Sequence, residues 1–212
     1  EEVIDSIRFF CRQASKIIAS DADLAYLTVR AIRILTGNTA ATGETLVIND
    51  DASALVERAA KVYEGNSNGL AQMDLALLSD WADGKVVAVY TSTRVESIRI
   101  SSMLKTQRED AKILLVNRDT SHTKEAQDFI ASPDAWIAAN KPDAIIYSPS
   151  LGTGVDVSIK DYVDSVFAVI QVGEWTTTFD VLQGFERVRT PKSATRHLWI
   201  QERAIFGASD EN

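Results

Sequence analysis

The stretch DAIIYSPSLGTGVD (143–156) joins a short apolar run to a loop holding Gly152 and Gly154, with hydroxyl residues at Ser148, Ser150 and Thr153 and an aspartate at its far end. An apolar run of this length closed by turn residues reads as a buried strand, and the loop as what leaves its carboxyl end. The same pattern recurs outward in both directions. KVVAVYTS (85–92), AKILLVN (111–117), DSVFAVIQV (164–172) and RHLWIQ (196–201) are further strand candidates. Helical patterns separate them over about 95–107, 123–130 and 178–188, with Ser132-Pro133 opening one more short helix. Apolar strands alternating with helices imply an α/β domain of three layers on a mostly parallel sheet, covered on both faces. In such folds ligands gather beyond the carboxyl ends of the strands, which is where the glycine loop lies.

Toward the amino terminus the alternation is looser. Val3, Ile7, Phe10 and Ala14 recur at helical spacing, KIIAS (16–20) reads as a strand running into Asp21-Ala22-Asp23, and a helix from about Leu24 stops at Gly37. TLVIN (45–49) is the next strand, giving an αβαβ order over the first 50 residues. Asp51 is placed to cap a helix with Leu55, Ala59, Val62 and Tyr63 on one face, ended by Gly65. A second helix carries Leu70, Leu77, Leu78 and Trp81. The expected organisation is therefore 1–50, a helical connector at 51–84, a main domain at 85–205, and a flexible tail at 206–212.

Composition narrows the function classes. The chain has 212 residues, 45% of them apolar and 25% charged, and carries no apolar run near the roughly 20 residues that span a bilayer. One cysteine, Cys11, and two histidines leave no disulfide and no zinc-type ligand set, as expected of a protein kept in a reducing, cytoplasmic compartment. A net charge of -8 argues against general coating of nucleic acid, yet residues 183–203 hold five basic side chains against Glu186 and Glu202. The chain opens Glu1-Glu2-Val3 without methionine or a signal pattern, which reads as a piece of a longer protein.

Three constellations carry chemistry. The glycine loop lacks the GxxxxGK[ST] pattern, as does the rest of the chain, so no P-loop is present in these 212 residues. Gly152 and Gly154 still let backbone approach a ligand, and Ser148, Ser150 and Thr153 can donate to phosphate oxygens; a purely structural tight turn explains the loop equally well. In FDVLQGFERVRTP (179–191), read as a helix, Gln183 and Arg187 share the face opposite Val181, Leu182, Phe185 and Val188. Arg189 then falls in the last turn before Thr190-Pro191, and an arginine pair at a helix end suits planar contact with phosphate, or is simply a solvated basic face. Asp21 and Asp23 after a strand could hold Mg²⁺ in a transferase, or cap the next helix; no third carboxylate lies near them in sequence.

Taken together these motifs resemble a known family. SPSLGTGVD (148–156) is similar to motif V of superfamily-two helicases, 183–189 to their Gln-Arg-Arg motif VI, and VVAVYTSTR (86–94) to motif IV. KIIASDADLAYLTVRAIRILTG (16–37) further resembles the segment at motif III in herpesvirus-type origin-binding proteins and cyanobacterial plasmid replication proteins. The resemblance runs from about Lys16 to Arg203 and departs at Arg189, six residues after Gln183 where many such helicases have seven.

The resemblance implies that the main domain is a second RecA-like lobe and 1–50 the tail of a first. ATP with Mg²⁺ would be held mainly by the missing part of that first lobe, elsewhere in the same polypeptide, with single-stranded or forked DNA as the other partner. Arg187 and Arg189 would be the catalytic arginines, and Gln183, Gly154 and Asp156 would face the nucleotide. Ser92, Ser148 and Thr153 would touch the DNA backbone, and Asp21 and Asp23 would couple the sites. The piece alone would be inactive as an ATPase. Two other readings stay open: a stand-alone module that binds nucleic acid or a partner without hydrolysing ATP, and a Mg²⁺-dependent transferase built on Asp21 and Asp23.

Overall fold

Each of the five apolar runs from 85 onward becomes a strand. The computed structural model describes residues 2–13, 26–37, 59–152, 154–171 and 183–201. The chain divides into two units, Glu1–Leu55 and Val56–Asn212. In the first, α1 (Glu2–Gln13) and α2 (Tyr26–Thr36) pack on each other. The strands expected at 16–20 and 45–49, and with them Asp21 and Asp23, lie outside the described residues.

The second unit is built on six strands: β1 (Ala59–Tyr63), β2 (Val87–Thr91), β3 (Ile113–Val116), β4 (Ala144–Tyr147), β5 (Ser165–Ile170) and β6 (Thr195–Ile200). Every pairing is parallel and the order across the sheet is β1-β6-β5-β2-β4-β3. This is the three-layer α/β fold on a parallel sheet that the strand and helix pattern implies. The central strands β2, β4 and β5 are buried at every position, as strands covered on both faces must be.

Helices α3 (Ser67–Ala82), α4 (Arg94–Gln107), α5 (Lys124–Ala131) and α6 (Pro133–Asn140) supply the covering layers. Their starts follow from local chemistry. The Thr93 and Thr123 hydroxyls accept from the amides of Glu96 and Ala126, three residues on, and Pro133 opens α6 where its missing N–H costs nothing. On α3 the four-residue spacing of Met73, Leu77 and Trp81 puts all three in the core at 0% exposure.

One expectation is overturned. The helix read from Asp51, Leu55, Ala59, Val62 and Tyr63 is not there in its described part: Asp51 and Leu55 lie outside the described residues, and Ala59–Tyr63 is an edge strand, with Val62 opposite Leu198 and Tyr63 opposite Trp199. Only Tyr63 of the five strand residues is buried, its hydroxyl bonded to His197 Nδ1 at 2.8 Å. Four apolar residues cannot distinguish a helical face from a half-exposed strand, and the open edge of β6 supplies ladder hydrogen bonds that decide the matter.

Candidate functional site

The loop after β4 begins with one 3-10 turn, Pro149–Leu151, that tucks Leu151 into the core. Gly152 and Gly154 both sit at φ +82°, a backbone state that glycine adopts without strain. Among the described residues a Cβ on either would meet nothing within 4 Å, so these glycines serve the turn. Thr153 lies outside the described residues. The chain then alternates, with Val155 and Val157 buried and Asp156 turned outward between them.

Against this segment lies the arginine-bearing stretch, and here the structure corrects the sequence reading. Helical backbone reaches only to Phe185; Glu186 and Arg187 form a turn, and Val188 enters a parallel bridge with Val157. Arg189 is therefore past the turn on an extended segment, not in the last turn of a helix. The bridge closes through the Val157 amide donating to Arg187 O at 2.8 Å and the Arg189 amide donating to Val157 O at 2.9 Å. A bonded partner strand offers residues 187–189 what further helix would have to provide against Thr190-Pro191, which disfavours helix just before it.

The bridge aims both arginines at the glycine loop. Arg187 Nη1 donates to Val155 O at 2.7 Å, and Arg189 Nη2 meets both Asp156 carboxylate oxygens at 3.0 and 3.1 Å. Arg187 is half-buried, whereas the Arg189–Asp156 pair leaves about half of each side chain in solvent, 51% and 41%. Gln183 is exposed just upstream. The structure thus brings Arg187, Arg189 and Asp156 together beside Gly154, with Gln183 at the near end of the turn.

Ser148 and Ser92 behave differently. Ser148 is 3% exposed at the root of the loop, its amide donating to Val116 O at 3.0 Å. Ser92, at the end of β2, donates its hydroxyl to Gln171 O and accepts from the Gln171 amide, at 3.0 and 2.7 Å. Gln171 in turn bonds Thr93 and Glu96 at the start of α4.

Four residues beneath the turn escaped the sequence reading. The Tyr147 hydroxyl donates to Gly184 O at 3.0 Å, and burial pushes its pKa well above the usual tyrosine value, against the pull of Arg187 and Arg196. Gly184 fits because it has no side chain: a Cβ there would lie 2.4 Å from the Tyr90 ring. Arg196 of β6 is 3% exposed and donates Nη2 to Val188 O at 2.8 Å; burial lowers its pKa, though it stays charged. The signal that could have found it is an arginine inside the strand pattern of RHLWI, where a buried charge needs a reason. Chemically, two guanidiniums on a glycine turn make a landing place for a planar or tetrahedral oxyanion, with Asp156 as the resting occupant of one of them. Among the described residues no group of three or more His, Cys, Asp or Glu could hold a metal ion, and no helix is long and apolar enough to cross a membrane.

No family model matches the chain. It is similar to an uncharacterized protein of Picosynechococcus sp. strain PCC 7002, 24% identical over 205 residues that make up 94% of this chain and 20% of the relative, so the chain spans about one-fifth of the length of the curated relative it matches. Among solved structures it is similar to the C-terminal domain of S. cerevisiae Dbp5 bound to Gle1 and IP6, at TM-score 0.44 and 12% identity over 70% of this chain and 78% of that one. The C-terminal part of the Fun30 ATPase domain aligns at TM-score 0.44 and 14% identity, over 95% of this chain and 61% of the other. The Pyrococcus furiosus Hef helicase domain aligns at TM-score 0.40 and 12% identity, over 96% and 36%.

Proposed function

We propose that this chain is the arginine-bearing second lobe of an ATP-dependent DNA helicase, working within a larger replication protein of the origin-binding type. The observation that supports it is the bridge between 155–157 and 187–189, which fixes Arg187 and Arg189 on one glycine turn. The replication setting rests on the resemblance of DADL, SPSLGTGVD and the Gln-Arg-Arg segment alone. In this reading residues 1–50 belong to a first lobe and the second begins with β1, the edge strand that replaces half of the expected connector.

Mg²⁺–ATP would supply a triphosphate whose charge grows at the transferred phosphoryl, and the donors gathered here, two arginines beside glycine backbone, suit such an oxyanion. Arg187 stays on the Val155 carbonyl and stiffens the turn. Arg189 is the one that reaches. Its surface pair with Asp156 is worth roughly 0–1 kcal/mol, so exchanging a carboxylate for a phosphate oxygen costs little. Asp156, once released, is free to accept from a ribose hydroxyl, and Gln183 faces the same space. Ser92 and Ser148 stand at strand-end loops along which a DNA strand would pass, and Thr153 is expected to join them; the Ser92 hydroxyl, already bonded to Gln171, acts by holding its loop.

The test is DNA-stimulated ATP hydrolysis by a polypeptide that carries this chain together with a P-loop lobe. Arg189→Ala is expected to lower kcat by at least about 10³-fold, as removal of an arginine finger does elsewhere, and the present chain alone to show no hydrolysis. Hydrolysis indifferent to both arginines, or full activity from this chain by itself, overturns the reading.

A further inference from the structure

Arg196 is harder to account for by stability than any other buried group described. It lies on β6 at 3% exposure with a single hydrogen bond, Nη2 to Val188 O. Its Nε and Nη1 are buried and meet no hydrogen-bond partner among the described residues, while Nη2 forms an ion pair with the Glu186 carboxylate at 3.6 Å, longer than an ordinary hydrogen bond. A guanidinium taken out of water with most of its donors unused destabilises a fold, and an apolar side chain of similar volume would fill the same space at less cost. Packing gives no reason for arginine here.

Position does. The carbonyl that Arg196 holds belongs to Val188, the residue between the two arginines of the site and the one that bridges to Val157. With that carbonyl fixed from below, the Arg187 carbonyl and the Arg189 amide are turned toward Val157, where they make both bonds of the bridge. A charged donor holds a carbonyl more firmly than a neutral one, and it does so where no water competes. At the other end of the turn the Tyr147 hydroxyl holds Gly184 O.

We propose that Arg196 is a positioning residue: it braces the Arg187–Arg189 turn through Val188 and so sets where the half-buried Arg187 and the exposed Arg189 point. Its meaning for catalysis rests on the function proposed above; the brace itself does not.

Hydrogen exchange on this chain tests the brace, with Arg196→Met and Arg196→Lys compared against the unmodified protein. The amides of Val157 and Arg189 report the bridge, and those of Val89 and Phe167 report the sheet core. In the methionine variant the bridge amides are expected to exchange at least about tenfold faster, and more than the core amides, because the hydrogen bond to Val188 and the ion pair with Glu186 are both lost at the turn. Lysine can still donate to the Val188 carbonyl and is expected to restore protection to within about threefold. Bridge amides unmoved by methionine, core amides accelerated equally, or a folded lysine variant that gives no rescue would each overturn the proposal. Should the methionine chain fail to fold, Arg196→Gln takes its place under the same criteria.

Kinetics of the two-lobe polypeptide then separate brace from function. Arg196→Met is expected to lower kcat by about 10-fold to 100-fold, the usual range for a residue that orients a working side chain, with KM for ATP within about threefold. If the bridge amides respond but hydrolysis ignores Arg187 and Arg189, the functional reading fails and the brace stands. If hydrolysis needs those arginines and neither amides nor kcat respond to Arg196→Met, the brace fails alone.

Discussion

On one face of the sheet Val87, Val89, Ala144, Ile146, Phe167 and Val169 are closed over by Met73, Leu77 and Trp81 of α3 and Ile100 and Leu104 of α4. On the other, Ala88, Tyr90, Ile145, Tyr147, Val166 and Ala168 are covered by Phe129 and Ile137 of α5 and α6, and beyond them by Leu151 of the 3-10 turn, Phe185 at the end of helical backbone, and Val155, Val157 and Val188 from irregular chain. The first face is hydrocarbon held by regular helices, with few buried donors such as Trp81 Nε1, which donates to Leu104 O at 3.1 Å. The second carries two tyrosine hydroxyls and the head of Arg196 under a glycine. A helix packs by repeating one pattern, so its side chains share the load; an irregular cover depends on single bonds, and each can be aimed. The candidate site lies on the face whose cover can be aimed.

The largest effect should come from the regular face. Leu77→Ala is expected to cost about 2–5 kcal/mol in denaturant unfolding, from lost burial and the cavity left under α3. Protection of the Val157 and Arg189 amides should fall only in step with global stability. A selective loss at the bridge would mean that the two faces are not separable as described.

Gly184→Ala probes the aimed face. Its Cβ would stand 2.4 Å from the Tyr90 ring, contact too close to keep, so the ring or the turn must move. Overpacking of this kind costs about 1–3 kcal/mol, and here the movement should break the Tyr147–Gly184 bond before it reaches the far face. Unaltered near-ultraviolet tyrosine signals, together with unaltered stability, would show that the turn has slack.

Between the faces, Asp164 ties the amino ends together. It accepts from the Val86 amide and from Lys192 Nζ, each at 2.8 Å. Burial alone would raise its pKa; the Lys192 and Val86 hydrogen bonds and the charges of Lys192 and Lys85 outweigh that and hold it below the usual carboxylate value. A depressed folded pKa means that the folded state binds the proton less well than the unfolded one. The stabilisation is therefore full above about pH 4, the unfolded carboxylate value, and is lost as pH falls through the lower folded value. Asp164→Asn should cost about 1–2 kcal/mol at pH 7 and flatten this acid limb in unfolding measured between pH 2 and 6. An acid limb of unchanged steepness would assign the linkage to other carboxylates.

The same division explains what could be read from the sequence. The strands at 87–91, 113–116, 144–147, 165–170 and 195–200, and the helices around them, follow from periodicity and caps, because each residue's environment is set by neighbours a fixed step away. The loop of 148–156 and the arginines of 187 and 189 were legible as residue types in order, and the structure brings Arg187, Arg189 and Asp156 together. Their geometry was not legible. Whether 186–189 continues a helix or turns into a bridge depends on Val157, 31 residues earlier, and no local pattern carries that information. Gly184 has its reason in the Tyr90 ring, far away in sequence, and residues 59–63 looked helical until the free edge of β6 claimed them. Long-range pairing wins wherever local preference is weak.

The smallest effect on stability should be the most informative about the site. Asp156 holds Arg189 in a pair that is half in solvent, and such pairs contribute about 0–1 kcal/mol, screened further by salt. Asp156→Asn keeps the shape and a weaker acceptor, so unfolding at 0.1 M salt should change by under about 1 kcal/mol, and the difference should vanish near 1 M, where the screening length is only about 3 Å. Val155 and Val157 stay buried and the bridge amides stay protected, since neither depends on the carboxylate. A penalty that survives high salt would make Asp156 part of the cover, fixed like the residues on either side of it. A penalty that salt removes leaves Arg189 resting on a partner it can exchange, which is the property that an arginine needs if it is to meet an oxyanion arriving from outside the chain.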